Sequence, residues 1–276
     1  MTALPTRRDE AWRYADLKRL APLWPARDLK TRQLSGADLR LDDRLAGPGW
    51  HDEEVDIDVA AGGQLSGLIE EVADAGSTVT MLYRITLGAG ARADLTLVSH
   101  GAAYGRVALD VRLAEGAELH LGGALVAGSE QVLELVTFVR HIGPGAISRQ
   151  TVRAVAGGLG VTSYLGQVAV AQAAQKTDAA QSFKALLLDR GATANAKPEL
   201  EIFADDVKCA HGASVGELDR AALFYLESRG IPPRLGEALL AAAFVDDALA
   251  SLAEDHPARA ALAARLEALI AARGSA

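Results

Sequence analysis

The chain has 276 residues, of which 50% are hydrophobic and 23% charged, a composition that fits a folded globular protein and not a disordered one. Its formal net charge is −8, and no dense run of Lys or Arg occurs beyond the first thirty residues. Nucleic acid and anionic membranes are therefore not expected as partners. The sequence contains no secretory signal pattern and no apolar run long enough to span a bilayer, and its single cysteine excludes an intrachain disulfide. Together these features predict a cytoplasmic protein.

Residues 1–75 are predicted to be an N-terminal mixed segment with a short helix. Thr6 and Asp9 have the spacing of a capping pair at a helix start, and Pro22 would end that helix. The polar, glycine-containing chain that follows has no clear period until the more regular residues 67–75.

Residues 76–216 have a sequence pattern typical of short strands. Aliphatic and polar residues alternate, for example in residues 93–98, and Gly-Ala pairs punctuate the strands. These pairs begin at Gly90, Gly116, Gly145, Gly191 and Gly212, which we interpret as a loose period in the twenties. A repeat of this length without intervening helices favours a β-solenoid, although a double-sheet sandwich or jelly roll shares the same short strands and glycine turns.

Residues 217–276 are predicted to be helical. A first helix would end at Gly230, before Pro232 and Pro233, and a last helix would begin at Pro257. Between them an apolar stripe follows the helical period, at Leu235, Leu239, Ala242, Val245, Leu249 and Leu252. The stripe must be covered, either by the end of the solenoid or by a partner protein, and the pattern alone does not decide between the two.

Several familiar sites are missing from the sequence. There is no phosphate-binding Gly-x-x-x-x-Gly-Lys-Ser/Thr loop, no complete Gly-x-Gly-x-x-Gly, no Cys-x-x-Cys and no His-Glu-x-x-His, so we expect this chain to bind no nucleotide and to encode no common zinc site. An iron–sulfur cluster held by thiolates takes four cysteines, whereas this chain has one. Any role in cluster chemistry would need ligands from another chain.

Two patterns suggest sites that the rest of the sequence does not favour. Residues 212–216, GASVG, match the nucleophile elbow of serine hydrolases at Ser214, but the βα units of that fold are missing and His256 is the only downstream histidine. His100, His120 and His141 recur at nearly even spacing, yet they fall out of phase with the glycine turns, which argues against a column of metal ligands.

Cys209 and His211 form the site that remains. They lie two residues apart in a predicted strand, so their side chains would share one face and could approach a common point. Thiolate and imidazole are both good ligands for iron. The alternative interpretation is a small buried thiol beside a structural histidine.

The sequence around this pair resembles the SufB/SufD family of iron–sulfur cluster assembly proteins. The resemblance rests on residues 198–213 (PELEIFADDVKCAHGA), residues 223–231 (LFYLESRGI), residues 184–188 (KALLL) and the N-terminal residues 8–14 (RDEAWRY). The Cys-x-His-Gly form resembles the SufD branch rather than the SufB branch.

The resemblance implies a mainly β fold, with a right-handed β-helix (solenoid) core between N-terminal and C-terminal helical segments. It also implies a non-catalytic scaffold subunit in an ATPase-driven SufB–SufC–SufD complex for iron–sulfur cluster assembly. The partners would be a SufB-like β-helix subunit and a SufC-like ATPase, and the isolated chain could form a homodimer. Cys209 and His211 would be interface ligands of a transient iron–sulfur cluster shared with the SufB-like subunit. The C-terminal helical region would dock the ATPase, and residues assigned to partner binding are Phe224, Tyr225, Arg229 and Phe244.

Overall fold

The computed structural model describes residues 3–24 and 28–273, and in it the chain forms a β-solenoid with helices at both ends. All strand pairs of the described chain are parallel, which confirms the solenoid and excludes the antiparallel jelly roll. The strands are β1 (Lys30–Gly47), β2 (Trp50–Ala73), β3 (Thr78–Leu87), β4 (Arg92–Ser99), β5 (Tyr104–Leu113), β6 (Glu118–Ala127), β7 (Val132–His141), β8 (Ile147–Ala156), β9 (Val161–Val170), β10 (Asp178–Leu187), β11 (Thr193–Ile202) and β12 (Lys208–Gly216). The helices are α1 (Leu17–Leu20), α2 (Arg220–Ser228), α3 (Pro233–Asp246) and α4 (Pro257–Ala272), with short 3-10 helices at Glu10–Trp12 and Asp247–Leu249. None of the described helices is long and apolar enough to cross a membrane.

The strands form two rows. Odd-numbered strands from β3 to β11 stack in one row and even-numbered strands from β4 to β12 in the other, while β2 is long enough to pair with both β3 and β4. One coil of the solenoid therefore contributes one strand to each row. The two strands of the last coil, β11 and β12, each pair with a neighbour on one side only.

The later coils are longer than the sequence suggested. The pairing of Thr78 with Tyr104 keeps to a period in the twenties, but Val161 pairs with Thr193 at a wider separation, so the predicted period is wrong for the last coils. The spacing of the Gly-Ala pairs gave too short a period because not all of these pairs lie at equivalent turns. Gly212, for example, lies inside β12.

Three of those glycines do mark successive turns. Gly90, Gly116 and Gly145 have φ angles of 64°, 62° and 69°, in the left-handed region that a side chain with a Cβ disfavours. Their peptide groups also link the coils, because the N–H of Gly90 donates to the carbonyl of Glu115 at 2.8 Å.

The middle strands are buried on both faces. In β5 all of residues 104–109 are buried, although only every second side chain points into the solenoid. Leu109 packs in the interior, whereas Tyr104 and Ala108 pack outside it, beneath the N-terminal segment. Strands covered on both faces need nearly continuous apolar residues, and this explains the high hydrophobic content of the chain.

Strand structure begins well before residue 76, the predicted start of the solenoid core. Residues 30–75 were expected to belong to a mixed segment, but β1 and β2 occupy most of them. The alternation was hard to recognise because a bulge between Gly36 and Asp38 changes which residues face inward. Leu34 lies on the inward face before the bulge, and Leu39 and Leu41 lie on it afterwards.

The N-terminal segment is helical only in short pieces. The backbone N–H of Thr6 donates to the Asp9 carboxylate at 2.7 Å, as the capping pair predicted, but the helix that follows is interrupted between Trp12 and Leu17. The ring of Trp12 lies over the Arg106 guanidinium, with 4.1 Å between the guanidinium carbon and the ring centroid. This contact holds the segment against the odd-numbered row of strands.

The C-terminal helices pack on the even-numbered row. Ala238, Ala241 and Val245 of α3 are buried there together with Leu262 and Leu266 of α4. The predicted stripe was therefore only partly correct, since Leu235 and Leu239 remain 45% and 47% exposed. Its continuity was also wrong, because α3 ends at Asp246 and a 3-10 helix follows.

Candidate functional site

The last coil of the solenoid leaves an open end. Among the described strands, β12 pairs only with β10, and nearly all of its residues are exposed, whereas every residue of the equivalent strand β8 is buried or half-buried. The exposure follows from position, because no further coil covers the strand. An unpaired parallel edge of this kind presents N–H and C=O groups that a further strand could bind.

Cys209 and His211 both lie on the inward-facing side of this strand. They are paired in register with Ala179 and Gln181, which are buried in the coil beneath. Cys209 is half-buried against the interior core, and His211 is exposed. Both side chains therefore belong to the interior column of the solenoid at the point where the column reaches its open end, as their spacing predicted.

Burial raises the pKa of the Cys209 thiol, and the negative charge of Asp178 raises it further. A hydrogen bond with the backbone of Ala179 acts in the opposite direction but is outweighed. In the free chain the thiol is thus held in its protonated form at neutral pH, and metal binding would have to release this proton.

Two donors alone do not make a metal centre. Within residues 3–24 and 28–273 no group of three or more His, Cys, Asp or Glu residues could hold a metal ion. An iron atom bound by Cys209 and His211 would need its remaining ligands from sulfide or from another chain.

A polar column beneath His211 was not recognised in the sequence. Gln181 pairs in register with His211 above it and with Gln150 below it, and both glutamines are buried. Neither the oxygen nor the nitrogen of the Gln181 amide has a hydrogen-bond partner within the described protein, whereas Gln150 accepts from the Tyr164 hydroxyl at 3.2 Å. The available signal was the polar residue between Ala179 and Phe183 on an otherwise apolar face.

The residues predicted to bind a partner divide into two groups. Phe224 and Tyr225 on α2 are 72% and 55% exposed, and the guanidinium of Arg229 lies 4.8 Å from the centre of the Tyr225 ring. Phe244 instead is half-buried in the cluster that joins α3 to the solenoid. An exposed aromatic surface is thus found on α2, apart from the core contacts of α3.

Ser214 lacks the geometry of a hydrolase nucleophile. It lies within β12, paired in register with Lys184, rather than at a sharp turn between a strand and a helix. The Nδ1 atom of His256 accepts a hydrogen bond from the Ala258 N–H at 3.2 Å and caps α4. No hydrogen bond joins Ser214 to a histidine in the described part of the chain.

Comparison with known proteins places these features in a family. A family model described as "SUF system FeS cluster assembly, SufBD core domain" matches residues 36–244, which include most of the solenoid, Cys209 and His211. The chain belongs to the SufBD family. The match reaches further towards the N-terminus than the motifs around Cys209, so the family pattern also includes strands outside those motifs.

Individual SufBD relatives match parts of the chain. The iron–sulfur cluster assembly protein SufD of Escherichia coli is 33% identical over 141 residues, which is 51% of this chain and 33% of the relative. SufD of Bacillus subtilis is 32% identical over 121 residues, covering 44% of this chain and 28% of the relative. Protein ABCI7, chloroplastic, of Arabidopsis thaliana is 43% identical over 104 residues, covering 37% of this chain and 22% of the relative. The matches thus span a third or less of the length of each of these relatives.

Proposed function

We propose that this chain is a SufD-like scaffold subunit that assembles with a SufB-like solenoid and a SufC-like ATPase to build iron–sulfur clusters. The observation that carries the proposal is the position of Cys209 and His211 at the open end of the solenoid. In this account the chain catalyses no reaction of its own. It supplies cluster ligands and a surface on which its partners assemble.

The open end is suited to a second solenoid. The backbone N–H of Lys208 donates to the carbonyl of Thr177 in the coil below, at 2.8 Å. In a parallel pair, alternate residues of β12 are therefore bonded to β10, and the residues between them point their N–H groups away from β10, to the open side. The backbone of Cys209, His211 and Ala213 would thus be available to a strand of a SufB-like subunit. Pairing there would also bring ligands from the second chain next to the two donors.

The nascent cluster is the cargo of this assembly. Binding of iron and sulfide would draw on the Cys209 thiolate and the His211 imidazole, with the other ligands coming from the SufB-like subunit. The raised pKa of Cys209 means that proton release would accompany loading. The unpartnered amide of Gln181, directly beneath His211, would gain a hydrogen-bond partner once the end is covered.

The exposed surface on α2 is the proposed docking site for the ATPase. Phe224 and Tyr225 are the kind of aromatic anchors that dominate protein interfaces, and Arg229 stacks beside them. Movement of the ATPase could reach the solenoid through the C-terminal helices, since Arg153 of β8 donates to Asp247 at 3.0 Å. Strain transmitted in this way would open the interface at β12 to iron and sulfide.

The test is reconstitution of the complex with iron and sulfide under anaerobic conditions. His211→Ala should leave the three-subunit complex intact but abolish or strongly reduce the visible absorbance of the cluster. Ser214→Ala is the matched control, because this residue lies on the same exposed strand but on its outward face, and it should load normally.

Full cluster yield in the His211→Ala complex would contradict the ligand role of His211. It would support the alternative that this chain is a purely architectural subunit. Labelling of the wild-type chain by a fluorophosphonate probe, lost in Ser214→Ala, would instead support the serine hydrolase alternative.

A further inference from the structure

A second polar site lies away from β12, in a cleft of about 640 Å³ where three parts of the chain meet. Helix α1 forms one wall, the loop after β4 and the turn before β7 form the floor, and α4 forms the opposite wall. The polar residues that line it are Arg19, His100, Ser129, Glu130, Gln131 and Arg265.

Arg265 is the unusual member of this group. Its side chain is half-buried, yet no carboxylate of the described residues pairs with it. By contrast, Arg106 and Arg153, the buried arginines of the described solenoid strands, each have an acidic partner, Glu134 and Asp247 respectively. Burial lowers the pKa of the Arg265 guanidinium, which is the expected effect when a charge is partly desolvated without compensation.

A neutral side chain holds Arg265 in place. Gln131 accepts from Arg265 Nη2 at 2.6 Å and from the Gly128 N–H at 3.0 Å, and its own nitrogen donates to the carbonyl of Gly101 at 2.8 Å. The amide is therefore fixed on both ends and positions the guanidinium without neutralising it. The Nε atom of Arg265 is buried and has no hydrogen-bond partner among the described residues, so the guanidinium keeps an unused donor for an anion.

Three other polar side chains line the cleft, from His100, Arg19 and Glu130. His100 has a buried Nε2 atom with no hydrogen-bond partner in the described protein. Burial and the charge of Arg265 lower the pKa of its ring, and the negative charge of Glu70 acts in the opposite direction but is outweighed. Arg19 approaches from α1, and among the described residues its side chain pairs with Asp16 of its own helix cap, at 3.4 Å. Glu130 is the acidic residue of the lining, and it is exposed to solvent.

Ser129 adds a backbone feature at the rim. Its φ is 50°, a left-handed value that is costly for a residue with a Cβ. The adjoining turn of the next coil has Gly158 with φ 63°, where no such cost arises. Ser129 lines the cleft, so a residue with a side chain occupies this position despite the cost.

We propose that this cleft binds the phosphate group of a small phosphorylated molecule between Arg265 of α4 and Arg19 of α1. A tetrahedral anion can accept hydrogen bonds from donors that arrive from several sides, and guanidinium groups are well matched to its oxygens. The cleft is much larger than one phosphate ion, which leaves room for the remainder of an organic phosphate. Binding would connect the N-terminal segment, the solenoid and the C-terminal helices.

Calorimetric titration of the full chain tests the site, at fixed ionic strength with inorganic phosphate in one arm and AMP in the other. We expect saturable phosphate binding that weakens at least tenfold in Arg265→Gln and severalfold in Arg19→Gln. Arg112→Gln, which removes an exposed arginine of β5 that does not line the cleft, should bind like the wild type. Tighter binding of AMP would identify the organic phosphate as the ligand, and equal affinity would identify the phosphate ion.

The absence of saturable binding by the wild-type chain would overturn the proposal, and so would equal affinity in wild type and Arg265→Gln. Circular dichroism of each variant establishes that the fold is retained. Because the assay needs neither partner nor cluster, its failure is separate from failure of the assembly role.

Discussion

Cys209 is subject to opposing influences on its acidity, and their balance can be measured in the isolated chain. Burial and Asp178 raise the pKa of the thiol, while the Ala179 backbone lowers it. The net direction is upward, so the reactive thiolate should be scarcer at pH 7 than in a free cysteine, about tenfold for each unit of pKa.

The first prediction is that alkylation of Cys209 by iodoacetamide will be slow at pH 7 and will rise with a midpoint above that of free cysteine. Asp178→Asn should lower the midpoint, because it removes a negative charge and leaves Arg149, whose Nη2 lies 2.6 Å from the Asp178 carboxylate. Since the chain has one cysteine, the rate reports this site alone. A midpoint at or below that of free cysteine would contradict the assignment.

His141 should make stability depend on pH. It is fully buried, with Nε2 at 2.9 Å from Ser148 Oγ, and burial lowers its pKa to about 4. The unfolded chain, with a pKa of about 6.5, then binds more protons between these values. The stabilising effect of the neutral ring is thus complete above about pH 6.5 and is lost as the pH falls towards 4.

The second prediction is a loss of about 2 kcal/mol in the free energy of unfolding between pH 8 and pH 5 from this residue. Urea unfolding followed by circular dichroism measures it. His141→Gln should be less stable at pH 8 but should have a flatter pH dependence, and an unchanged slope would show that His141 is not the group responsible.

At the scale of elements, the attachment of the C-terminal helices to the solenoid depends on a glycine. Gly122 lies in β6 where the 3-10 helix Asp247–Leu249 crosses it, and a Cβ at this position would overlap the carbonyl of Ala248. The overlap is with backbone atoms, so it cannot be relieved by a change of rotamer.

The third prediction is that Gly122→Ala will destabilise the protein by about 1–3 kcal/mol and loosen the C-terminal helices. Hydrogen exchange should rise in residues 233–272 more than in the strands. Gly216→Ala is the control, because a Cβ there meets nothing within 4 Å and the change should stay within about 0.5 kcal/mol. Equal effects of the two substitutions would contradict the proposed packing.

Helix α2 allows binding to be separated from folding. Phe224 is 72% exposed, so Phe224→Ser should change stability by less than about 0.5 kcal/mol. The fourth prediction is that this variant nevertheless binds the SufC-like ATPase roughly thirtyfold more weakly, as expected for loss of an aromatic anchor of about 2 kcal/mol.

Phe244→Ala provides the comparison, measured by the same binding titration and by urea unfolding. This side chain packs against the cluster between helices and solenoid, so its loss should lower stability by roughly 1–2 kcal/mol. Unchanged ATPase binding in Phe224→Ser would remove α2 from the docking surface.

At the scale of the whole molecule, the sequence predicted the solenoid and the helical C-terminus because both leave local patterns. The alternation in β4 and the Pro257 start of α4 are examples. The length of the later coils and the start of the strands at Lys30 were not predictable in this way. Coil length depends on which turns are equivalent in space, and the bulge after Gly36 interrupts the alternation of β1.

Among the candidate site residues too, those defined by a local pattern were predictable from the sequence and those defined by tertiary contacts were not. Cys209 and His211 were recognisable because two residues in one strand share a face, which is a local property. Gln181 comes to lie beneath His211 only through a pairing between strands that are distant in the chain, and Arg265 meets Gln131 only through the packing of α4. Contacts of this kind follow from the tertiary structure and leave no periodic signal.

The proposed assembly requires the open edge of β12 to bind a SufB-like solenoid, and this can be measured by co-purification. The tagged chain would be co-expressed with the SufB-like and SufC-like subunits of the same genome and purified, as wild type and as Ala213→Pro. This proline would remove an N–H that points to the open side while leaving the bonds to β10 in place. We predict that the wild type recovers both partners and that Ala213→Pro, with unchanged thermal stability, keeps the ATPase but loses the SufB-like subunit. Recovery of both subunits by Ala213→Pro, or of neither by the wild type, would contradict the proposed assembly.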